Sequence, residues 1–354
     1  MTTIDLVGRD AEMDRLVAAI GQIRDGGVAL LVVGDAGVGK SALLRSASAL
    51  ARGAGFLVLE AFGFETEADL AFAGLHQLFH PLTSHHQGLL ESHRSALRQA
   101  LGLEVGTTPD SHVVSQAVLA RLAAEAQERP VVVLIDDVQW LDDPTREIAA
   151  FVARRVANVP VVVIAAGRSG YGGPLLDAGL PVIEVAGLGE ASAAELLARS
   201  DPGLADADRR RILQEAEGNP LALIDLPRAW ASLDVAGQDL LGQPLPLTAR
   251  LQRAFTGRWE ELADSERAAV LVAAADPDAS IPEVLAAASS LAGEPVGIEA
   301  IDRAAAVGLL RVDAQLRVQF RHPLVRAAVL HVEPLARRQA ANGALASVLG
   351  EDHQ

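Results

Sequence analysis

Cysteine is absent from the 354-residue sequence. A disulfide framework and a thiolate metal site are therefore excluded, and a reducing, cytoplasmic location is expected. Aromatic residues make up only 3% of the chain, although hydrophobic residues make up 50%. The core is therefore expected to be large and to consist mainly of alanine, leucine and valine.

Long apolar runs are absent as well. The longest, residues 131–135 and 159–166, have the length of a strand, whereas a membrane-spanning helix needs about 20 residues. The first residues, MTTIDLVGRDAEMDRL, lack the basic region and the apolar stretch of a signal peptide. Because both kinds of apolar segment are missing, we expect no membrane partner.

The formal net charge of −16 argues against a general affinity for nucleic acid.

Lysine occurs only once, at Lys40, and this residue lies in the most informative stretch of the chain. Residues 34–41, GDAGVGKS, follow the apolar run VALLVV and precede a helix-forming segment. The pattern is GxxxxGK[ST], the phosphate-binding loop or P-loop, in the strand–turn–helix context that it requires. Glycines let successive N–H groups point at a phosphate, and the helix adds the positive end of its dipole. The predicted nucleotide-binding residues here are Gly34, Asp35, Ala36, Gly37, Val38, Gly39, Lys40, Ser41 and Ala42.

The P-loop predicts its ligands as well. The lysine of such a loop reaches the β- and γ-phosphates, and the serine hydroxyl binds Mg²⁺. We therefore expect ATP or ADP together with Mg²⁺ as cofactors, with Lys40 on the phosphates and Ser41 on the metal. The alternative is a glycine-rich turn that binds nothing.

A second acidic motif follows the P-loop along the chain. Residues 130–140, PVVVLIDDVQW, form an apolar strand that ends in two aspartates, as in the Walker B motif. We predict that Asp136 binds Mg²⁺ and that Asp137 orients or deprotonates the attacking water. A further strand, residues 160–168, ends in Arg168, which we place near the γ-phosphate. The alternatives are a buried strand with a polar turn and an ordinary surface arginine.

The turn Val7-Gly8-Arg9 precedes a helix that we predict over residues 11–20. Such a turn ahead of a P-loop is a candidate for the adenine end of a nucleotide. The alternative role for this segment is a helix N-cap provided by Asp10.

Strands and helices alternate through the first half of the chain. Apolar runs predict strands at residues 55–61, 131–135, 160–168 and 181–185 in addition to the P-loop strand. Helices are predicted over residues 111–129 and 144–156, and another over 62–82 with an apolar face of Leu70, Phe72, Leu75, Leu78 and Phe79. Alternation of this kind predicts an α/β fold with a parallel sheet between helices, that of P-loop NTPases of the ASCE or AAA-like type. Phosphate is expected at the carboxyl edge of the strands.

The second half has a helical pattern. Short helices are predicted at residues 191–199, 207–216 and 221–231, with Gly218-Asn219-Pro220 between the last two, followed by a linker at 242–246. Residues 247–330 resemble a winged helix, because helices precede a hairpin with strands at 309–312 and 316–320. A DNA-reading module is normally basic. Residues 248–330 carry nine arginines against eleven acidic residues, a balance of −2, so we interpret this region as a structural or regulatory lid.

Taken together, these motifs resemble the N-terminal ATPase region of large ATP-binding LuxR-type transcriptional regulators of actinobacteria. Those regulators belong to the signal-transduction ATPases with numerous domains, or STAND proteins, a branch of the AAA-like P-loop proteins. The resemblance extends over nearly the whole chain. The segments that carry it are GDAGVGKS, DLAFAGLHQLFHPL, VVVLIDDVQWLDDPT, VVVIAAGR, EGNPLALIDLP, LPLTARLQRAF and FRHPLVRAAVL.

The resemblance implies further roles. Arg168 matches the arginine of the sensor strand, Pro220 matches a proline that packs on adenine, and His322 matches a histidine that contacts the phosphates in the resting state. Residues 7–9 match the adenine-side turn. In this family ADP holds the lid and winged helix on the core, and exchange for ATP, often with an inducer, permits self-association.

The resemblance also implies a domain division. We expect a nucleotide-binding domain at residues 1–187, a helical lid and linker at 188–246, a winged helix at 247–333, and the start of a helical region at 334–354. Full-length relatives continue into helical repeats and a basic LuxR-type helix-turn-helix. We therefore expect DNA binding only through a C-terminal domain absent from this chain, which is either a fragment or a short natural relative.

Two other functions stay open. A motor or remodelling ATPase of the AAA type needs an arginine from a neighbouring subunit, for which Arg154 and Arg155 are candidates, although their position in a helix favours a solvated face. A small-molecule kinase is compatible with the P-loop, but kinases rarely carry an appended winged helix.

Overall fold

The computed structural model describes residues 6–82, 89–104, 109–231, 247–257, 259–313 and 317–351. The chain divides into two compact units, Met1–Ala186 and Gly187–Gln354. The predicted linker at residues 242–246 lies outside the described residues. The same is true of residues 314–316 in the predicted hairpin.

The first unit alternates strands and helices. Its helices are α1 (Asp10–Gly21), α2 (Lys40–Gly53), α3 (Ala73–Phe79), α4 (Glu91–Ala100), α5 (Ser111–Glu128) and α6 (Asp143–Ala153). Its strands are β1 (Val28–Gly34), β2 (Leu57–Phe62), β3 (Val131–Asp136), β4 (Val161–Arg168) and β5 (Val182–Val185). The predicted strands are confirmed within one or two residues at each end.

The strands form one parallel sheet in the order β2-β3-β4-β1-β5. Side chains alternate across it, so one set of strand residues packs in a cluster with Leu16, Leu43 and Ala47, on α1 and α2. The other set packs in a cluster with Leu75 and Leu122, on α3 and α5. Burial on both faces explains why the strands are continuous apolar runs. The predicted α/β P-loop fold is confirmed.

The predicted helix over residues 62–82 is wrong. The chain leaves β2 at Phe62, makes a short 3₁₀ turn at Glu65–Glu67, and forms only the short helix α3 before a second 3₁₀ turn. Leu70, which we placed on the apolar face, is 62% exposed. The interruption lies at Phe72, whose left-handed backbone with φ 65° ends any continuous helix.

The described residues of the second unit form helices and one hairpin. Its helices are α7 (Glu190–Ser200), α8 (Asp206–Ala216), α9 (Pro220–Ala231), α10 (Ala249–Thr256), α11 (Asp264–Ala275), α12 (Ile281–Ala292), α13 (Ile298–Ala306), α14 (Pro323–Val332) and α15 (Leu335–Glu351). Strands β6 (Leu310–Val312) and β7 (Val318–Phe320) pair antiparallel. Helices followed by a hairpin and a further helix match the predicted order, and the lid and winged-helix assignments stay predictions.

Among the described residues, no helix combines the length and the apolar character that crossing a membrane requires.

Candidate functional site

The P-loop connects β1 to α2. Gly39 caps α2 with φ 108°, a conformation that side-chain-bearing residues rarely adopt. A Cβ on Gly34 would lie 2.4 Å from the carbonyl oxygen of Val185, so only glycine fits where β1 ends. The first N–H groups of α2 have no acceptor within the helix. The loop therefore presents backbone donors and the positive end of a helix dipole at one place.

Lys40 is the first residue of α2, and its side chain folds back on the loop. The residue is only 6% exposed. Its ammonium donates hydrogen bonds to the carbonyl oxygens of Gly34 at 3.0 Å and Asp35 at 2.8 Å. Burial lowers the pKa of Lys40 to about 8, while the neighbouring Asp137 carboxylate opposes the shift. This buried cation is suited to an anionic ligand, which would compensate for its lost hydration.

Asp136 ends β3, and its carboxylate lines the same cavity as the hydroxyl of Ser41. Burial raises the pKa of Asp136, the nearby Ser41 hydroxyl lowers it, and the Asp137 carboxylate raises it. Mg²⁺ prefers hard oxygen ligands. A buried carboxylate and a hydroxyl that line one cavity therefore fit the predicted Mg²⁺ position.

Asp137 has an unusual backbone and a fixed side chain. Its φ of 49° and ψ of 50° are left-handed, and its N–H donates to Oδ1 of Asp136 at 2.9 Å. Oδ1 of Asp137 accepts a hydrogen bond from Nε2 of Gln139 at 2.8 Å. A left-handed backbone in a residue other than glycine is energetically unfavourable, and such residues are often found at functional sites.

Arg168 is the last residue of β4 and lies beside the start of the P-loop. It pairs in register with Gly34, and the N–H of Ser169 donates to the Gly34 carbonyl oxygen at 3.2 Å. The positive charge of Arg168 lowers the pKa of Lys40, so the two cations are electrostatic neighbours. Lys40, Asp136, Asp137 and Arg168 thus come together at the carboxyl edge of the sheet.

Arg9 is buried at 6% exposure and contacts the P-loop directly. Its guanidinium donates to the carbonyl oxygen of Val38 at 2.8 Å and to that of Ala186 at 2.7 Å. Val7 and Gly8 precede it in a turn in which Gly8 has φ 65°. The role of this turn at adenine stays a prediction.

The alternative role for this turn is wrong. Asp10 is the first residue of α1, and Arg9 occupies the N-cap position without a side-chain cap hydrogen bond. Asp10 instead places a carboxylate in the first turn, where it complements the helix dipole.

Pro220 and His322 belong to the second unit. Pro220 opens α9, where Oδ1 of Asn219 accepts from the N–H groups of Leu221 and Ala222. The ring of His322 caps α14, because Nδ1 accepts from the Leu324 N–H at 3.1 Å, and Nε2 lies 3.2 Å from the Ala216 carbonyl oxygen. Their contacts with a nucleotide stay predictions.

Two buried polar residues near the site escaped the sequence analysis. Gln139 contacts Asp137, as described above. The carboxylate of Asp142 accepts from three backbone N–H groups, those of Phe72, Gly74 and Thr145. The available signal for Asp142 was an aspartate two residues before Pro144, which is typical of a helix N-cap. For Gln139 the sequence offered only its position next to the acidic pair.

Sheet order, loop and acidic pair define this unit as a P-loop ATPase fold. Residues 5–164 match the model of a protein family described as the AAA ATPase domain. The first half of the chain is therefore similar to an AAA-type ATPase domain.

Individual proteins resemble the chain more distantly. An uncharacterised protein of Rhizobium meliloti is 28% identical over 206 residues, which covers 50% of this chain and 20% of that protein. The chain thus matches about a fifth of the length of this relative. A Walker-type ATPase of Pyrococcus abyssi superposes with a TM-score of 0.61 at 14% identity, over 92% of this chain and 96% of that one. This likeness supports the fold.

A STAND protein with a tetratricopeptide repeat sensor from Pyrococcus horikoshii aligns at 15% identity over 100% of this chain and 46% of that one. Its TM-score is 0.37.

Proposed function

We propose that this chain is an adenine-nucleotide-dependent regulatory switch of the STAND type that hydrolyses ATP slowly. The observation that carries the proposal is the position of Lys40. The only lysine of the chain is buried on the P-loop among Asp136, Asp137 and Arg168. A buried cation beside backbone donors and two carboxylates is a costly arrangement unless an anion and a metal ion complete it.

Different residues bind the phosphates, the metal ion and the adenine. The amides at the start of α2 and the ammonium of Lys40 hold the phosphates, and releasing Gly34 and Asp35 frees the ammonium to do so. Ser41 and Asp136 hold Mg²⁺, which when bound neutralises charge on the β- and γ-phosphates. The family resemblance assigns residues 7–9 and Pro220 to the adenine and His322 to the phosphates.

Hydrolysis rests on Asp137 and Arg168. Asp137 accepts a hydrogen bond from a water molecule and orients it toward the γ-phosphorus. The water oxygen forms the new bond to the γ-phosphorus and gives up a proton, which passes by way of Asp137 to the released phosphate. The bond to the β–γ bridging oxygen breaks, and that oxygen leaves with ADP. Lys40 and Arg168 stabilise the charge that develops on the transferred group. No residue of this set is needed as a covalent nucleophile.

Regulation follows the family resemblance. In the proposed switch ADP stabilises a resting state, and exchange for ATP, with an unidentified inducer, permits self-association in the cytoplasm. Control of transcription then requires a DNA-binding domain. The bound nucleotide that co-purifies with the protein, identified after denaturation, tests the resting state. ADP supports it, and an empty site contradicts it.

The binding proposal is tested with Lys40→Met. Titration calorimetry with ATP and ADP in Mg²⁺ should show at least about a 100-fold loss of affinity, equivalent to one or two charge-assisted hydrogen bonds. Arg52→Met is the matched control, since Arg52 is a cation in the last turn of the same helix whose side chain is 56% exposed. Normal ATP affinity in Lys40→Met would contradict the assignment of the site.

A motor ATPase is distinguished by its speed and assembly. Arg155, a candidate for the arginine that a neighbouring subunit would need, stacks on Phe151 of its own chain with the guanidinium carbon 3.7 Å from the ring centroid. Turnover in minutes with retained ADP supports the switch. Turnover at about 1 s⁻¹ or faster together with ring formation supports the motor.

A further inference from the structure

Gln139 lies in the turn that follows β3 and is only 6% exposed. Its side-chain amide bridges two parts of the candidate site. Nε2 donates to Oδ1 of Asp137 at 2.8 Å, and Oε1 accepts from the backbone N–H of Arg168 at 3.2 Å. One buried amide therefore joins the second acidic residue to the end of β4.

The sheet gives no evident need for this bridge. Strands β3 and β4 already pair in register from Val131 with Val161 to Ile135 with Ala165. A buried amide must satisfy both its donor and its acceptor, which an apolar side chain at the same place would not require. At this side-chain length glutamine can donate to a carboxylate with one end and accept from a backbone N–H with the other.

The bridge fixes the carboxylate of Asp137. One of its oxygens is occupied by Gln139, while the left-handed backbone and the N–H bond to Asp136 fix the residue itself. The orientation of the second carboxylate oxygen, Oδ2, is thereby fixed as well. A carboxylate that orients a water molecule is effective only when its geometry is set before the reaction.

We propose that Gln139 is a positioning residue that holds Asp137 in its water-orienting geometry and ties that geometry to the backbone of Arg168. This inference rests on the proposed hydrolytic function. A shift of Arg168 toward or away from a γ-phosphate moves the N–H that Gln139 accepts from. The side-chain amide of Gln139 transmits this displacement to the Asp137 carboxylate. Asp137 is therefore in its water-orienting position when the end of β4 is in place.

The test compares Gln139→Met with the wild-type full chain. Methionine keeps the length and removes both hydrogen bonds. The rate constant for ATP hydrolysis under saturating ATP should fall about 10- to 100-fold, whereas the dissociation constants for ATP and ADP stay within about threefold. A merely structural residue would not separate kcat from binding in this way.

Gln77→Met is the matched control. Gln77 also uses both ends of its amide, accepting from the N–H of Phe62 and donating to its carbonyl oxygen. It belongs to the same unit, and both of these hydrogen bonds go to the backbone of Phe62. Hydrolysis and binding should both be unchanged in this variant.

Gln139→Glu is a second variant, which keeps the test possible if Gln139→Met does not fold. It keeps the acceptor for the Arg168 N–H but removes the donor and sets a carboxylate against Asp137, so the same loss of kcat is expected. Wild-type kcat in a folded Gln139→Met or Gln139→Glu overturns the positioning role alone. A wild-type chain that binds ATP and never hydrolyses it overturns both this inference and the proposed hydrolysis.

Discussion

The guanidinium of Arg9 reaches across 29 positions of sequence to the carbonyl oxygen of Val38, to which it donates at 2.8 Å. The same guanidinium nitrogen donates to the Ala186 carbonyl oxygen, and the other terminal nitrogen pairs with Glu12 at 2.9 Å. The residue before α1 thus fastens the middle of the P-loop to the end of the first unit. The shape of the loop depends on a side chain that the loop motif does not include.

Arg9→Ala is therefore expected to weaken both folding and nucleotide binding. It leaves the buried Val38 carbonyl oxygen without its donor, at a cost of about 2 kcal/mol in the free energy of unfolding. The loosened loop should bind ATP about tenfold more weakly by calorimetry. Arg15→Ala, which removes an exposed donor to the Val182 carbonyl oxygen, should change neither. Unaltered ATP affinity in a destabilised Arg9→Ala protein would reduce Arg9 to a structural role.

Asp142→Ala should be among the more destabilising single changes in the first unit. The carboxylate is 2% exposed and accepts from the N–H groups of Phe72, Gly74 and Thr145. Its loss leaves three buried backbone N–H groups without an acceptor. We therefore expect a decrease of about 3 kcal/mol in the free energy of unfolding. Denaturant titration measures this decrease. Asp143→Ala is the control, because that side chain is 82% exposed; equal effects of the two changes would contradict the role given to Asp142.

Gly63→Ala should impair hydrolysis more than binding. A Cβ on Gly63 would lie 2.1 Å from the carbonyl oxygen of Asp137, so the turn that carries Asp137 must move. We expect kcat to fall about tenfold or more while ATP affinity changes little. Gly21→Ala, at a helical site with open space around it, should leave both unchanged. A normal kcat in Gly63→Ala would show that the Asp137 turn tolerates displacement.

Glu283 gives the second unit a pH-dependent contribution to stability. Its carboxylate accepts a hydrogen bond from Ser280, whose side chain and backbone N–H hold the pKa of Glu283 below its usual range. A lowered folded-state pKa stabilises the fold above the unfolded value of about 4.3, and the gain is lost as pH falls through the folded value.

Glu283→Gln should therefore lower the melting temperature at pH 7, by an amount equivalent to less than about 1 kcal/mol. The difference from wild type should shrink as the pH is lowered from 7 toward 3 and the wild-type carboxyl takes up a proton. Glu294→Gln, at an exposed position between α12 and α13, provides the baseline. A difference that persists unchanged at pH 3 would contradict the electrostatic origin of the cap.

The sequence alone predicts those features whose residues are adjacent along the chain. Residues 34–41 predict the loop because its strand, glycines and helix are adjacent, and Asp136 is predicted because a buried strand leads directly to it. Arg9 was associated with adenine and not with Val38, because its acceptors are backbone atoms far along the chain. Gln139 has the same difficulty, since the N–H that it accepts from belongs to Arg168.

The failure at residues 62–82 has a similar cause. Apolar residues there recur at helical spacing, and Leu75, Leu78 and Phe79 are indeed buried. The carboxylate of Asp142 nevertheless fixes the backbone at Phe72 in a left-handed conformation, and tertiary contact overrides the local pattern. Helix α4 escaped prediction because only Ala96, Leu97 and Ala100 of its ten residues are buried.

The single lysine gives this chain an unusual experimental property. Lys40 carries the only side-chain primary amine, and it lies within the P-loop at 6% exposure. Acylating reagents that scatter over the surface of most proteins have just one side chain to modify here, so mass spectrometry of that one peptide becomes a footprint of ligand occupancy. Amine-directed crosslinkers, conversely, have no side-chain anchor on the outer surface.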